Sequence, residues 1–298
     1  MQRVMHADQP FAYAAVLLSC LSFAKIRAMI SRRFALAGLA SLTVPALTGC
    51  ASQQAPKNTA ASTAATPAGL DAVIDISHNV TVSDFRAVRR SNILAVIHKA
   101  TEGGDWVDQS YATRRRQAEQ AGLLWGAYHY GTRQYPGSVQ AYAFLGAAKP
   151  GPDTLIALDL EPNDPNPRNT MTYAQAEAFV ITIQQATGRT PMLYTLSGWA
   201  NGKRHGRRGL TLGQPIQQGS VLAQCDLWLA DHREEPEVPN AWAQRGWKLW
   251  QYAADQTDRD SAYGAPSKAI AGVTHCDRNL FNGDRAALYK YWKSSGKA

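Results

Sequence analysis

The segment Leu155-Ile-Ala-Leu-Asp-Leu-Glu161-Pro162 holds the reactive groups of greatest interest in this chain. Read as a strand, its alternation sends Ile156, Leu158 and Leu160 to one face and Ala157, Asp159 and Glu161 to the other. Two carboxyl groups then share a face at the strand's C-terminal end, and Pro162 stops the ladder. Neighbouring acids repel when both are ionised. That coupling pushes one pKa upward and keeps a carboxylic acid protonated near neutrality. Asp75 shares a face with Val73 and Ser77 near the end of an earlier apolar run, and Asp277 closes the last such run. Four acids of this kind are suited to proton transfer. They also suit a hard cation such as Mg²⁺, and structural salt bridges or helix caps draw on the same residue types. With no second motif for phosphate, acid–base chemistry is the preferred reading, without metal or cofactor.

Such a site needs strands that end at one mouth. Candidate strands are Ala72–Ser77, Ile93–Ala100, Leu124–Tyr130, Thr154–Glu161, Pro191–Leu196, Asp226–Asp231, Trp247–Tyr252 and Val273–Asp277. Helices fall between several of them. Thr172-Tyr-Ala-Gln175 opens one with a capping box, and Gly188 ends it. Asp108 to Ala121, closed by Gly122, and Asp284 to Lys293 are two more. This β/α alternation predicts an α/β fold, an irregular (β/α)8-like barrel. An open doubly wound sheet is the competitor. It would normally carry a Gly-rich phosphate loop after its first strand, and Asp75-Ile-Ser-His-Asn79 is not one. In a closed barrel the first and last strands are neighbours, so Asp75 and Asp277 should meet. Tyr128, Tyr130, Tyr194 and Trp250, with the adjoining Gln251, fall near predicted strand ends. Their flat rings with polar tips suit a sugar ligand.

The 298 residues carry a formal charge of +8, which invites a nucleic-acid reading. Half of that excess lies in residues 1–50, where Arg3, Lys25, Arg27, Arg32 and Arg33 face only Asp8. The remainder is mildly basic, a poor basis for a nucleic-acid binder. Met29 to Cys50 has the order of an export signal: Arg32-Arg33, a short apolar run from Phe34 to Leu47, then small residues before a cysteine. Leu47-Thr48-Gly49-Cys50 resembles a bacterial lipobox, which implies lipidation of Cys50 and cleavage before it. Translation is expected to begin at Met29, and Ser31-Arg-Arg-Phe34 faintly resembles a twin-arginine signal. The expected organisation is therefore a leader over 1–49, a lipidated Cys50 with an Ala/Ser/Thr/Pro tether over 50–69, and one barrel over 70–298. Neither Ala51 nor Ser52 is the Asp that favours inner-membrane retention in similar lipoproteins. The expected location is the cell envelope, at the periplasmic face of an outer membrane. An oxidising compartment would allow a Cys225–Cys276 disulfide, with two separate buried thiols as the alternative. Arg114-Arg-Arg116 reads as the solvated face of a helix, and Lys203-Arg-His-Gly-Arg-Arg208 as a solvated basic loop.

Taken in order, Asp75-Ile-Ser-His78, Lys99-Ala-Thr-Glu-Gly103, Gly126-Ala-Tyr-His-Tyr130, Asp159-Leu-Glu161, Leu193-Tyr-Thr195, Leu227-Trp-Leu-Ala230, Leu249-Trp-Gln-Tyr252 and Cys276-Asp-Arg-Asn279 resemble the family 25 glycoside hydrolases, the Chalaropsis-type lysozymes. These landmarks cover nearly all of residues 70–290. The resemblance implies a monomeric barrel that cleaves the β-1,4 bond between N-acetylmuramic acid and N-acetylglucosamine in peptidoglycan glycan strands. It implies Glu161 as general acid and Asp159 as the companion that orients or polarises the acetamido group, with Asp75 and Asp277 lining the site. Asn79, where relatives often place Trp, Arg114, where Asn is usual, and His98, where an apolar residue is common, depart from the pattern. A strand-two histidine either enters the site or covers the core. Two rival functions remain: a non-catalytic wall-binding lipoprotein, and a metal-dependent hydrolase using the acid cluster.

Overall fold

The computed structural model describes residues 69–254 and 270–295. Cys50, the leader and the tether lie outside the described residues. The strands are β1 (Leu70–Ile76), β2 (Ala95–Glu102), β3 (Trp106–Val107), β4 (Leu124–Tyr130), β5 (Leu155–Asp159), β6 (Met192–Leu196), β7 (Leu227–Ala230), β8 (Leu249–Ala253) and β9 (Asp277–Phe281). The helices are α1 (Phe85–Arg90), α2 (Tyr111–Gln120), α3 (Gly137–Ala148), α4 (Tyr173–Thr187), α5 (Ser197–Ala200), α6 (Val221–Gln224) and α7 (Arg285–Ser294). In sheet order the strands run β1-β9-β8-β7-β6-β5-β4-β2-β3, and pairing of β1 with β2 closes the ring. The short β3 hangs on β2 as a hairpin outside the ring.

Pairing from β1 through β2, β4, β5, β6 and β7 to β8 is parallel, as a β/α barrel requires. The last strand differs from expectation. It begins at Asp277 rather than ending there, and it runs antiparallel to both β8 and β1. Reversal leaves its first residue at the mouth where its neighbours end, so Asp277 lies opposite Asp75.

Alternation separates two apolar layers. Val73, Ile97, Leu155, Ala157, Leu249 and Phe281 belong to an inner cluster that Leu288 and Trp292 of α7 join. Ile74, Val96, Ile156, Leu158, Leu229 and Trp250 belong to an outer cluster with Phe144 of α3 and Phe179 of α4. The capping box at Thr172 forms as expected, with Gln175 answering it, and Gly188 takes φ +67° to end α4. No helix among the described residues is long and apolar enough to cross a membrane.

Of the two readings of the cysteines the separate buried thiols hold, and the solvated-face reading of the α2 arginines is corrected. Cys225 and Cys276 are both free and buried. Cys225 precedes the start of β7, whereas Cys276 precedes the start of the reversed β9. They therefore sit at opposite ends of the barrel, roughly 15 Å apart along a strand, beyond disulfide reach. The arginines of α2 are not a solvated face. Arg114 donates to the carbonyls of Ser77 (2.8 Å) and Val80 (2.5 Å) and contacts His98 Nε2 at 3.1 Å. Arg115 bonds the carbonyls of Ala148 and Lys149. Only Arg116, held by Thr113, keeps to the exposed side. Arg114 thus clamps the loop that follows β1 and its Asp75. Arg114→Ala is expected to lower stability by about 1–3 kcal/mol in chemical denaturation, because it removes both bonds and leaves the Val80 carbonyl unsatisfied, while the Ser77 carbonyl keeps the Val80 amide. Arg116→Ala should stay within about 0.5 kcal/mol of the parent.

Candidate active site

β5 ends at Asp159, but the Leu160 amide still donates to the Tyr194 carbonyl at 3.0 Å. That extra bond carries Glu161 forward along the mouth, on the inner face shared with Asp159. A cavity of about 190 Å³ opens there. Its walls include Asp75, Asp159, Glu161 and Asp277, so all four predicted acids meet in one space. Tyr128, Tyr130, Tyr194 and Gln251 line it too. A wider groove of about 670 Å³ continues past Glu161 and Asp277 towards Ser197, His205 and Arg233.

Gln251 organises one wall. Its Nε2 donates to both Asp75 oxygens (3.2 and 3.1 Å) and reaches Asp277 Oδ2 at 3.4 Å, while its Oε1 accepts from the Tyr194 hydroxyl at 2.9 Å. Asn279 Nδ2 donates to Asp75 Oδ2 at 2.7 Å, and Asn279 Oδ1 accepts from Trp228 Nε1 at 2.6 Å. Trp228 in turn lies 5.0 Å from the Tyr194 ring. Asp75 is therefore fixed by two amides whose own far ends are fixed.

Trp250 does not reach the cavity. Gln251 faces inward, so its neighbour must face outward. Trp250 is buried in the outer cluster and donates to the Asp231 carbonyl. Tyr252, also near that strand end, is likewise buried in the outer layer and donates to Asp71 at 3.0 Å. His98 covers the core: it is fully buried, stacks on Trp125 and sits beside Arg114.

Three residues of the site, two of them lining the cavity, were not among the candidates the sequence reading named. Asn279, which holds Asp75 from behind the cavity wall, lay beyond the strand as first drawn, although two residues from Asp277 means the same face. Trp228 lines the cavity from the centre of an apolar run that looked uniform. Lys99 lines it as well, and parity with Ile97 would have marked it as inward.

The charges shape the acids. Burial raises Asp75, and the nearby Asp277 raises it further, against the amides of Asn279 and Gln251. Burial also lifts Asp159 well above the usual carboxylate range, with Glu161 adding to it and Lys99 opposing. Glu161 is pushed up to about 7 by burial, then by Asp277 and Asp164, again against Lys99. Asp159 Oδ1 is buried with no hydrogen-bond partner. Among the described residues, no group of three or more His, Cys, Asp or Glu side chains is placed to hold a metal ion. Such a cavity holds protons close to neutrality and presents an unsatisfied acceptor beside a proton donor.

Clustered acids at the carboxyl mouth of a closed β/α barrel are an arrangement suited to carboxylate acid–base chemistry. Residues 74–260 match the model of the glycosyl hydrolases family 25, and the chain belongs to that family. It is 26% identical over 230 residues to lysozyme M1 of Streptomyces globisporus, covering 72% of this chain and 69% of that protein. It is similar to the crystal structure of a bacterial lysozyme from Streptomyces coelicolor, with TM-score 0.62 and 26% identity over 78% of this chain and 100% of that one. A muramidase from Acremonium alcalophilum gives TM-score 0.57 and 26% identity, over 74% and 98% of the two chains.

Raised carboxyl pKa values carry a stability consequence. The folded state holds the Asp159 proton to higher pH than the unfolded chain does. The penalty for ionising it is absent in acid and grows as pH rises above the ordinary carboxylate range. Asp159→Asn should therefore raise the thermal midpoint at pH 7, and the difference should close towards pH 4. An unchanged midpoint at both pH values would refute the raised pKa.

Proposed function

We propose that the barrel is a muramidase that cleaves the β-1,4 bond between N-acetylmuramic acid and N-acetylglucosamine, with Glu161 as general acid. The supporting observation is the environment of Glu161. Its pKa of about 7 keeps the carboxyl largely protonated in mildly acidic solution and about half protonated at neutrality, which matches a proton donor to a leaving glycosidic oxygen. The relatives named lysozyme and muramidase support the same substrate. Asp159 is assigned the companion role. Its unpartnered Oδ1 is suited to accept from the N–H of an acetamido group beside the scissile bond. The Asp75–Asp277 pair, held by Gln251 and Asn279, sets the field around Glu161 and shapes the cavity floor. Tyr128, Tyr130 and Tyr194 contribute ring edges to its walls, with the Tyr194 hydroxyl committed to Gln251.

Glu161→Gln should reduce release of reducing ends from purified cell wall by at least about a thousandfold, with the circular-dichroism spectrum unchanged. For the parent enzyme, activity should fall as pH rises through about 7, as the donor loses its proton. A Glu161→Gln protein with full activity would overturn the assignment.

We also propose that Cys50 carries the lipid that tethers this monomeric domain to the envelope, at the periplasmic face of an outer membrane. The lipobox-like Leu47-Thr48-Gly49-Cys50 and the Ala/Ser/Thr/Pro-rich segment after it support this. Cys50→Ala should move the protein from the membrane pellet to the soluble fraction. Persistence in the pellet would refute lipid anchoring.

A further inference from the structure

The basic segment over 203–208 is more than a solvated loop. It belongs to a tight hairpin after α5, where the His205 amide donates to the Leu210 carbonyl at 2.7 Å and the Leu210 amide returns to the His205 carbonyl at 3.0 Å. Gly206 and Gly209, each at φ +61°, let the chain turn. The hairpin docks on the loop after β5. His205 Nε2 meets Asp164 Oδ2 at 3.1 Å, and Arg208 Nη1 donates to the Asp164 carbonyl at 3.4 Å. Gly206 lies by the other oxygen of the same carboxylate, so near that an added Cβ would stand 3.5 Å from it.

Asp164 follows Glu161 closely in sequence, and both line the wide groove. The backbone of this loop is fixed from within. The Asp164 amide donates to the Pro162 carbonyl at 3.1 Å, and Asn163 Oδ1 accepts from the Asn166 amide at 2.9 Å. The Asp164 side chain is nevertheless 61% exposed, so without His205 its carboxylate is free to turn into solvent. The imidazole therefore holds a negative charge in the groove wall. Burial is the main cause that keeps the Glu161 proton in place, and Asp277 and Asp164 add to it.

The other charged groups around Glu161 come from every strand end that meets it. Asp277 of β9 opposes its ionisation and Lys99 of β2 favours it. Asp159 and Asp75 share its cavity, both with carboxyls raised chiefly by burial. On the groove side Arg233 is matched by Asp231 at 2.6 Å and Glu237 at 3.1 Å, Lys203 by Glu237 at 3.3 Å, and His232 lines the groove as well. Asp164 differs from the strand-end acids in being held by a hairpin from another loop. We propose that this hairpin is a positioning device for the general acid: His205 holds the Asp164 carboxylate in the groove wall beside Glu161, and that fixed charge helps the donor keep its proton in neutral solution. The inference rests on the reading of Glu161 as general acid. A neutral imidazole can hold the carboxylate without cancelling its charge.

The test uses the full-length protein and reads the alkaline limb of kcat/KM for reducing-end release against pH. Ionic strength is kept at about 20 mM, because the pair is partly exposed and salt screens it. Asp164→Asn should move the limb down by about 0.5 pH unit, which is about a 2.5-fold loss at pH 7.5 for a donor titrating at about 7. The plateau near pH 5 should stay within about twofold of the parent. His205→Gln places an amide nitrogen where Nε2 stands, whereas His205→Ala places nothing there. Both replacements are neutral, so the difference between them reads position alone, and the Ala limb should lie about 0.3 pH unit below the Gln limb. A limb unmoved by Asp164→Asn would overturn the proposal, and so would Gln and Ala variants with the same limb. A parallel carboxyl-carbon NMR titration of Glu161, assigned with Glu161→Gln, needs no turnover. The same ordering of Glu161 titrations in a protein that releases no reducing ends would support the positioning role while sinking the muramidase reading.

Discussion

Asp75 and Asp277 face one another across the antiparallel β1–β9 pair, and much of the site depends on that register. Two carboxyl groups so placed repel when both are charged, and each is drawn from water at a cost. Gln251 bridges them with one amide group, and Asn279 reaches Asp75 from the strand that carries Asp277. A single slip of β9 would turn both Asp277 and Asn279 to the outer face, because side-chain direction alternates along a strand. Closure of the barrel and construction of the acid wall are therefore one event.

The same crowding tunes the donor. Glu161 lies near the Asp75–Asp277 pair and beside Asp159, in a cavity whose depth excludes much of the solvent. Burial and Asp277 raise its pKa, and Lys99 moderates the rise. Lys99 is itself held by Glu102 and by the rings of Trp106 and Tyr130, so the moderating charge has a fixed position. A buried cluster of acids is poor for stability and useful for chemistry. The barrel supports it with inner and outer apolar layers on either side of the strands.

Arg114 illustrates a related point about support. Its guanidinium reaches from α2 to the loop after β1 and satisfies two carbonyls there. The residue departs from the family's usual pattern, yet it acts at the strand end that presents Asp75. His98, packed against Trp125 and beside Arg114, belongs to this support and not to the cavity. The loop geometry behind the acids is thus built by residues that no motif singles out.

The sequence by itself determined the alternation of strands and helices, the α4 cap and stop, and the presence of Asp159 and Glu161 on one strand face. Those features are local: period two along a strand, a capping box, a glycine in the left-handed region. It also determined that Asp75 and Asp277 would meet, since closure makes the first and last strands neighbours. Only the tertiary structure decided that the last strand runs backwards, because strand direction depends on the connection and on the partners on both sides. That reversal brought Asn279 into the site and set Cys276 at the opposite end of the barrel from Cys225. Inward or outward facing of Trp250 and Trp228 was likewise decided by register, which spacing alone does not fix. The contact of His205 with Asp164 arises where a hairpin and a loop distant in sequence approach each other, a juxtaposition with no local signature.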